Sequence, residues 1–271
     1  MCISCVFGFP SQVIAEGSTG HASRFIDGTA SEMILSVVNK AMSFRQDQRR
    51  ELHGGSHPAG CSHSVAAKTI GDVTALNLSM IRSGNRGDLP EESAYNVIPV
   101  RMEAAFDIRI SPFMSPQEMS SLLDKWCEEV CDEVEGIPEG GGVRWEYHQG
   151  RDQQAHASTS IDPLQNPWWE AFINILHERF GRKCDPMVFP AATDSRFLRA
   201  EGIRAIGFSP MRRSPCLLHE HDEYLDESVY VEGCEVYTVL MRDLGSLGRL
   251  AVDDMDEAAA LLLPEVITKV R

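Results

Sequence analysis

From Met102 to Ile110 every second residue is apolar: Met102, Ala104, Phe106, Ile108 and Ile110 alternate with Glu103, Asp107 and Arg109. Alternation with period two puts each set on its own face of a pleated strand, so residues 101–110 are predicted to form a half-buried strand. The runs Val73 to Ile81, "VRWEYH" at 143–148 and "QVIAE" at 12–16 read the same way. Helical spacing separates them. Thr29 and Glu32 stand at capping-box distance, and Ile34, Val37, Val38, Ala41 and Phe44 then form one stripe toward Arg50. "SPQE" at 115–118 supplies an N-cap serine, a first-turn proline and a glutamate at the third position, ahead of Met119, Leu122, Leu123, Trp126 and Val130. The predicted order from 12 to 148 is β-α-β-β-α-β, the ferredoxin-like arrangement, which sets two helices against one face of a four-stranded antiparallel sheet.

Residues 149–164 are polar and aperiodic, as expected of a crossing between domains. After them Asn166 and Pro167 open a helix whose apolar face runs through Trp169, Phe172, Ile173, Leu176 and Phe180 and stops at Gly181. Short strands at 187–189 and 204–208, a helical stretch at 194–200 and a helix at 227–244 continue an α/β pattern. The expected fold class is therefore mixed, α+β and α/β. A ferredoxin-like βαββαβ domain spans 10–149, an α/β part spans 150–246, and an acidic, Ala/Leu-rich tail spans 247–271. The stretch 53–70, with His53, His57 and His63 among glycines and serines, reads as a solvated loop.

Charge narrows the partners. With 25 basic against 40 acidic residues the formal charge is -15, which repels a phosphate backbone, and basic clusters are as short as Arg49-Arg50 and Arg212-Arg213. Nucleic acid is excluded as the expected partner, and an RNA-binding use of the ferredoxin-like fold with it. No apolar run approaches the ~18 to 20 residues that span a bilayer. The start has no basic segment before Arg24, unlike a secretory leader, so a cytoplasmic chain is expected. Its eight cysteines lack the dense spacing of a disulfide scaffold and read as reduced thiols. Cys2 and Cys5 form a lone C-x-x-C, taken as two small apolar residues in a poorly specified terminus.

His219-Glu220-His221 is the densest candidate for chemistry. Histidines two apart share one side of an extended strand but diverge by about 200° on a helix, and zinc needs three or four protein ligands. By residue chemistry alone the pair reads as hydrogen-bonded or exposed. On the same grounds Asp194 reads as a helix cap, Arg109 as a polar-face strand residue and Asn96 as a turn residue before Pro99.

Six segments change that balance: "TGHASRF" (19–25), "AYNVIP" (94–99), "FDIRISP" (106–112), "NPWWEAF" (166–172), "PAATDSRFLRAEGIRAIGFSPM" (190–211) and "LLHEHDE" (217–223). In order and rough spacing they resemble the M20 metallopeptidase family, most specifically its aminoacylase-like members, over about residues 12–245. The resemblance implies a cytosolic homodimer that hydrolyses N-acyl-L-amino acids to a carboxylate and a free amino acid at a two-zinc centre. It also implies that the βαββαβ domain is a lid, or dimerisation, domain inserted into a catalytic domain. His219 matches the last zinc ligand of that family, with His221 beside it. His21 matches the lid histidine that reaches the partner's active site and steadies the oxyanion. Asn96 and Arg109 match substrate-binding lid positions, while Asp194 and Arg199 fall in the segment that lines the pocket. The family's remaining zinc ligands and its glutamate base precede the lid, whereas residues 1–20 hold no His or Asp and one glutamate, Glu16. A truncated chain, inactive alone, is therefore expected. The alternative is a non-catalytic dimerisation module that pairs with a full-length subunit, and zinc content with hydrolysis of an N-acetyl amino acid separates the two.

Overall fold

The computed structural model describes residues 2–54, 68–84, 95–148, 157–215, 217 and 220–248. In chain order its elements are β1 (Cys2–Cys5), β2 (Phe7–Glu16), β3 (Gly20–His21), α1 (Ala30–Leu52), β4 (Ala75–Ser83), β5 (Val97–Ile98), β6 (Arg101–Ile110), α2 (Pro116–Glu133), β7 (Gly142–Tyr147), α3 (Pro167–Phe180), β8 (Met187–Phe189), α4 (Ser195–Ala200) and α5 (Glu227–Gly245). Two compact units emerge, one of Ser4–Ala157 with Val188–Glu201, the other of Met1–Ile3, Ser158–Met187 and Gly202–Arg271. None of the described helices is long and apolar enough to cross a membrane.

The first unit is built on a four-stranded sheet of order β4-β6-β2-β7, antiparallel throughout. Chain order and sheet order together are the βαββαβ arrangement expected from the alternating pattern. Phe9, Val13 and Ala15 of β2 and Ala104, Phe106, Ile108 and Ile110 of β6 project from one face. There they meet Met33, Ile34, Val37 and Ala41 of α1 and Met119, Leu123, Trp126 and Val130 of α2. Burying such a side chain contributes about 1.5 to 3 kcal/mol, and this face is where the unit's core sits.

Both helices begin where the sequence places them. The Thr29 hydroxyl accepts from the Glu32 backbone N–H at 3.2 Å, and the Glu32 carboxylate accepts from the Thr29 N–H at 2.9 Å. Ser115 and Glu118 repeat the exchange at α2, at 3.1 and 2.6 Å. Lys40 of α1 reaches Glu129 and Glu133 of α2 at 2.9 and 3.0 Å, so the helices are tied across their exposed sides as well as through the core. Before α1 the chain turns at Gly28, φ 70°, where a Cβ would overlap the Gly136 carbonyl; only glycine allows that approach.

Three expectations need correction. The strand expected at 12–16 begins at Phe7, its start hidden by Gly8, Pro10 and Ser11. Proline cannot donate to a ladder, and it is tolerated because pairing with β7 begins at Ser11, one residue later. Cys2–Cys5 is a strand paired with β8, and Cys5 is buried, so this terminus is specified. Residues 204–208 form no strand: the Ala205 N–H donates to the Thr159 hydroxyl at 3.1 Å, and that hydroxyl donates back to the Ala205 carbonyl at 2.7 Å, in place of a ladder.

In the second unit Asn166 caps α3, Pro167 fills its first position and Gly181 ends it in the left-handed conformation, φ 60°. Phe172 and Leu176 of α3 bury against Val236 and Leu240 of α5, flanked by Ile206 and Phe208. Arg179 to Asp243, at 3.0 Å, joins the two helices at the surface.

Candidate functional site

Residues 20–21 and 97–98 pair as a two-stranded ribbon, His21 opposite Val97, at the end of the main sheet where Glu16 faces Arg101. The Ala22 N–H donates to the Asn96 carbonyl at 2.8 Å, and the Thr19 hydroxyl to the Ile98 carbonyl at 2.6 Å. The ribbon thus brings His21 and Asn96 together although 75 residues separate them. A backbone N–H can only donate, so the Ser23 amide, 3.2 Å from Nδ1 of His21, fixes that nitrogen as an acceptor. In the neutral ring the proton then sits on Nε2. Nε2 lies 3.4 Å from the Asn96 side-chain amide, whose oxygen side is the one that can accept from it. The arrangement presents an exposed, oriented N–H donor.

Arg109 lies on β6 with its side chain on the face away from the helices. Its Nε and Nη2 donate to one Asp107 carboxylate oxygen at 3.2 and 2.9 Å, in a half-exposed pair. Position in the strand matters more. Arg109 pairs with Gly8 at one end of β6, whereas the ribbon carrying His21 and Asn96 continues from Arg101 at the other. Eight residues of strand at about 3.4 Å each put about 27 Å between the two positions. Within one chain Arg109 and the His21–Asn96 pair cannot touch the same small molecule.

Asp194 stands exposed at the start of α4 and makes no side-chain cap bond, contrary to the capping reading. Arg199, on the same helix, is 6% exposed. Its guanidinium donates to the Ala157 carbonyl at 2.9 Å, to the Ser195 hydroxyl at 3.1 Å and to the Cys5 sulfur at 3.1 Å. The structure therefore shows Arg199 holding backbone and neighbouring side chains in place. His219 lies outside the described residues; of its neighbours, Glu220, His221, Asp222 and Glu223 are exposed. Among the described residues no three His, Cys, Asp or Glu side chains gather as a metal site, so these side chains alone do not make up a zinc centre.

Two features escaped sequence reasoning. Ser23 fixes the His21 tautomer, a contact two residues along the chain that the motif contains but does not explain. The uncovered sheet face also carries a cavity beside Gln12, for which polar alternation gives no signal.

The model of the peptidase family M20/M25/M40 matches residues 44–243. Aminoacylase-1 of Dictyostelium discoideum is 37% identical over 240 residues, 86% of this chain and 52% of that protein. Aminoacylase-1A of Rattus norvegicus is 37% identical over 239 residues, 88% of the chain and 51% of the relative. Aminoacylase-1 of Homo sapiens is 36% identical over 242 residues, 89% and 52% respectively. The chain spans about half the length of these curated relatives. Among solved structures, the di-peptidase Dug1p from Saccharomyces cerevisiae aligns with a TM-score of 0.60 at 16% identity, over 92% of this chain and 56% of that one. Aminopeptidase PepT from Bacillus cereus gives 0.54 at 14%, over 90% and 54%. At these identities the structural likeness speaks for the fold.

Proposed function

The chain belongs to the M20/M25/M40 peptidase family, and on that premise we propose that it supplies the lid domain and the C-terminal part of the catalytic domain of a zinc-dependent, cytoplasmic, homodimeric hydrolase of N-acyl-L-amino acids. The carrying observation is the placement of His21 beside Asn96 at one end of the sheet, with Arg109 at the other. In this reading Nε2–H of His21, oriented by Ser23 and Asn96, donates to the oxyanion formed at the amide carbonyl, and Arg109 holds the substrate carboxylate by a two-pronged hydrogen bond. Because these groups stand about 27 Å apart along the strand, a complete site takes His21 and Asn96 from one protomer and Arg109 from the other. Asp194 and Arg199 shape the wall of the pocket, and His219 is this chain's zinc ligand. The described residues do not assemble the rest of a metal centre, so no chemical step is assigned to it.

The test is co-expression with the half of aminoacylase-1 that this chain does not span, followed by zinc analysis after dialysis and an assay on N-acetyl-L-methionine. Activity with retained zinc is expected. His21→Ala should lower kcat by about 10² to 10³ with zinc unchanged, the usual effect of losing one oxyanion donor. Mixing His21→Ala with Arg109→Ala protomers should recover up to about a quarter of the original rate, since half the dimers are mixed and each has one intact site. No recovery would place both residues in one protomer's site. Zinc-free, inactive assemblies would favour the non-catalytic module.

A further inference from the structure

The sheet face opposite the helices carries a cavity of about 310 Å³, lined by Pro10, Gln12, Met80, Ala105, Asp107 and His148, with Arg82 at its edge. Register explains the grouping: Gln12 lies opposite Ala105, Pro10 opposite Asp107, and Met80 pairs with Ala105 from the other side. Gln12 is 8% exposed, and its side-chain amide makes no hydrogen bond to a described residue. An amide shut off from water without a partner weighs against the fold, and a bound polar group that pairs with it would remove that penalty.

The rest of the lining says what kind of group fits. Pro10, Met80 and Ala105 offer an apolar floor suited to methylenes. The charges at the rim are closed on one another: Asp107 accepts from Arg109 at 2.9 Å, and the Arg82 Nε donates to Glu103 at 2.6 Å. A charged ligand group would find no open counter-charge. An uncharged group able both to donate and to accept would find Gln12, which offers an acceptor oxygen and a two-hydrogen donor. Asp107 and Arg109 are two residues apart on one face of β6, about 7 Å along the strand, which is the reach of a short amino-acid side chain.

We infer that this cavity receives the side chain of the N-acyl amino acid and that Gln12 favours one ending in a primary amide. The inference rests on the reading above, in which Arg109 holds the substrate's carboxylate. The carboxylate then sits on Arg109, the side chain runs over Met80 and Ala105, and its terminal amide exchanges two hydrogen bonds with Gln12.

The test uses the full ¹⁵N-labelled chain, titrated with N-acetyl-L-glutamine and with N-acetyl-L-alanine and followed by amide NMR. N-acetyl-L-glutamine is expected to move the Gln12 side-chain resonances and the Ala105 and Asp107 amides, and to bind at least about tenfold more tightly than N-acetyl-L-alanine. Gln12→Leu, similar in volume but without the amide, should erase that preference and leave the alanine compound unchanged. Ala105→Leu fills the cavity from the neighbouring strand without removing a polar group and should do the same. Arg109→Ala should weaken both compounds alike. Equal affinity for the two compounds, indifference to both cavity variants, or no shift at the cavity would each overturn the inference while leaving Arg109's role standing. A glutamine preference that survives Arg109→Ala undiminished would instead overturn the carboxylate reading and keep the cavity.

Discussion

Glu103 points to the face of β6 that no helix covers, yet it is 2% exposed. Arg101 and Arg82 close over it, Arg101 through Nη2 at 2.8 Å. Burial pushes its carboxyl pKa up, but the hydrogen bonds from Arg101 and Arg82 outweigh burial and leave it below the usual carboxylate value. The sign follows from linkage. A depressed folded pKa contributes stability fully above the ordinary glutamate pKa of about 4.3, and that contribution is lost as pH falls through the lowered value. Glu103→Gln should therefore destabilise by about 1 to 3 kcal/mol at neutral pH, moderated because the arginines are 24% and 33% exposed, and should flatten the acid limb of stability against pH. Urea unfolding from acid to neutral pH measures both; an unchanged acid limb would remove Glu103 as its source. A second contrast lies in α2. Burial first, then the neighbouring Cys131, pushes the Cys127 thiol up to about 12, while Cys131 and Cys234 are exposed. Alkylation of the native chain at neutral pH should label Cys131 and Cys234 well before Cys127, readable by mass spectrometry. Alternation in the sequence told that Glu103 and Arg109 leave the core. It could not tell that Glu103 is shut from water, because which side chains lie over a face depends on neighbouring strands.

Helix starts were the most legible elements because their signals are local. Thr29 with Glu32 and Ser115 with Glu118 each close within four residues, and both boxes form where the sequence puts them. Thr29→Ala and Ser115→Ala should each cost about 1 kcal/mol, and nearly additively since they cap different helices; chemical denaturation of the single and double variants checks this. Strand starts were less legible. The beginning of β2 contains Gly8, Pro10 and Ser11, which argue against a strand until the ladder from β6 is known. The expected strand at 204–208 fails for the converse reason: Ile206 and Phe208 have strand-like character, but their apolar side chains are used in packing around Phe172 and Leu240 while Thr159 takes the backbone. A strand is a property of two segments, and one segment's composition reports only half of it.

At the scale of the whole molecule, the separation of Arg109 from His21 and Asn96 calls for a second copy to complete a site. The full chain should self-associate at tens of micromolar in sedimentation velocity, and a folded, strictly monomeric species would contradict the proposed arrangement. The pairing of His21 with Asn96 was not readable from periodicity, since 75 residues intervene; the family resemblance pointed to both residues, and the β3–β5 ribbon supplies the physical reason they meet. The close approach of Gly28 to Gly136 carries a consequence for inheritance. Glycine codons differ by one base only from other glycine codons, from stop codons and from codons for residues that bear a Cβ. Every single-base missense change at Gly28 therefore drives an atom into the Gly136 carbonyl and forces a side chain into φ 70°, whereas at Gly245, where the added atom meets open space, the same class of change has room. Natural variation in this gene should be sparse at codon 28 and freer at codon 245, a pattern that population sequencing can read without purifying the protein.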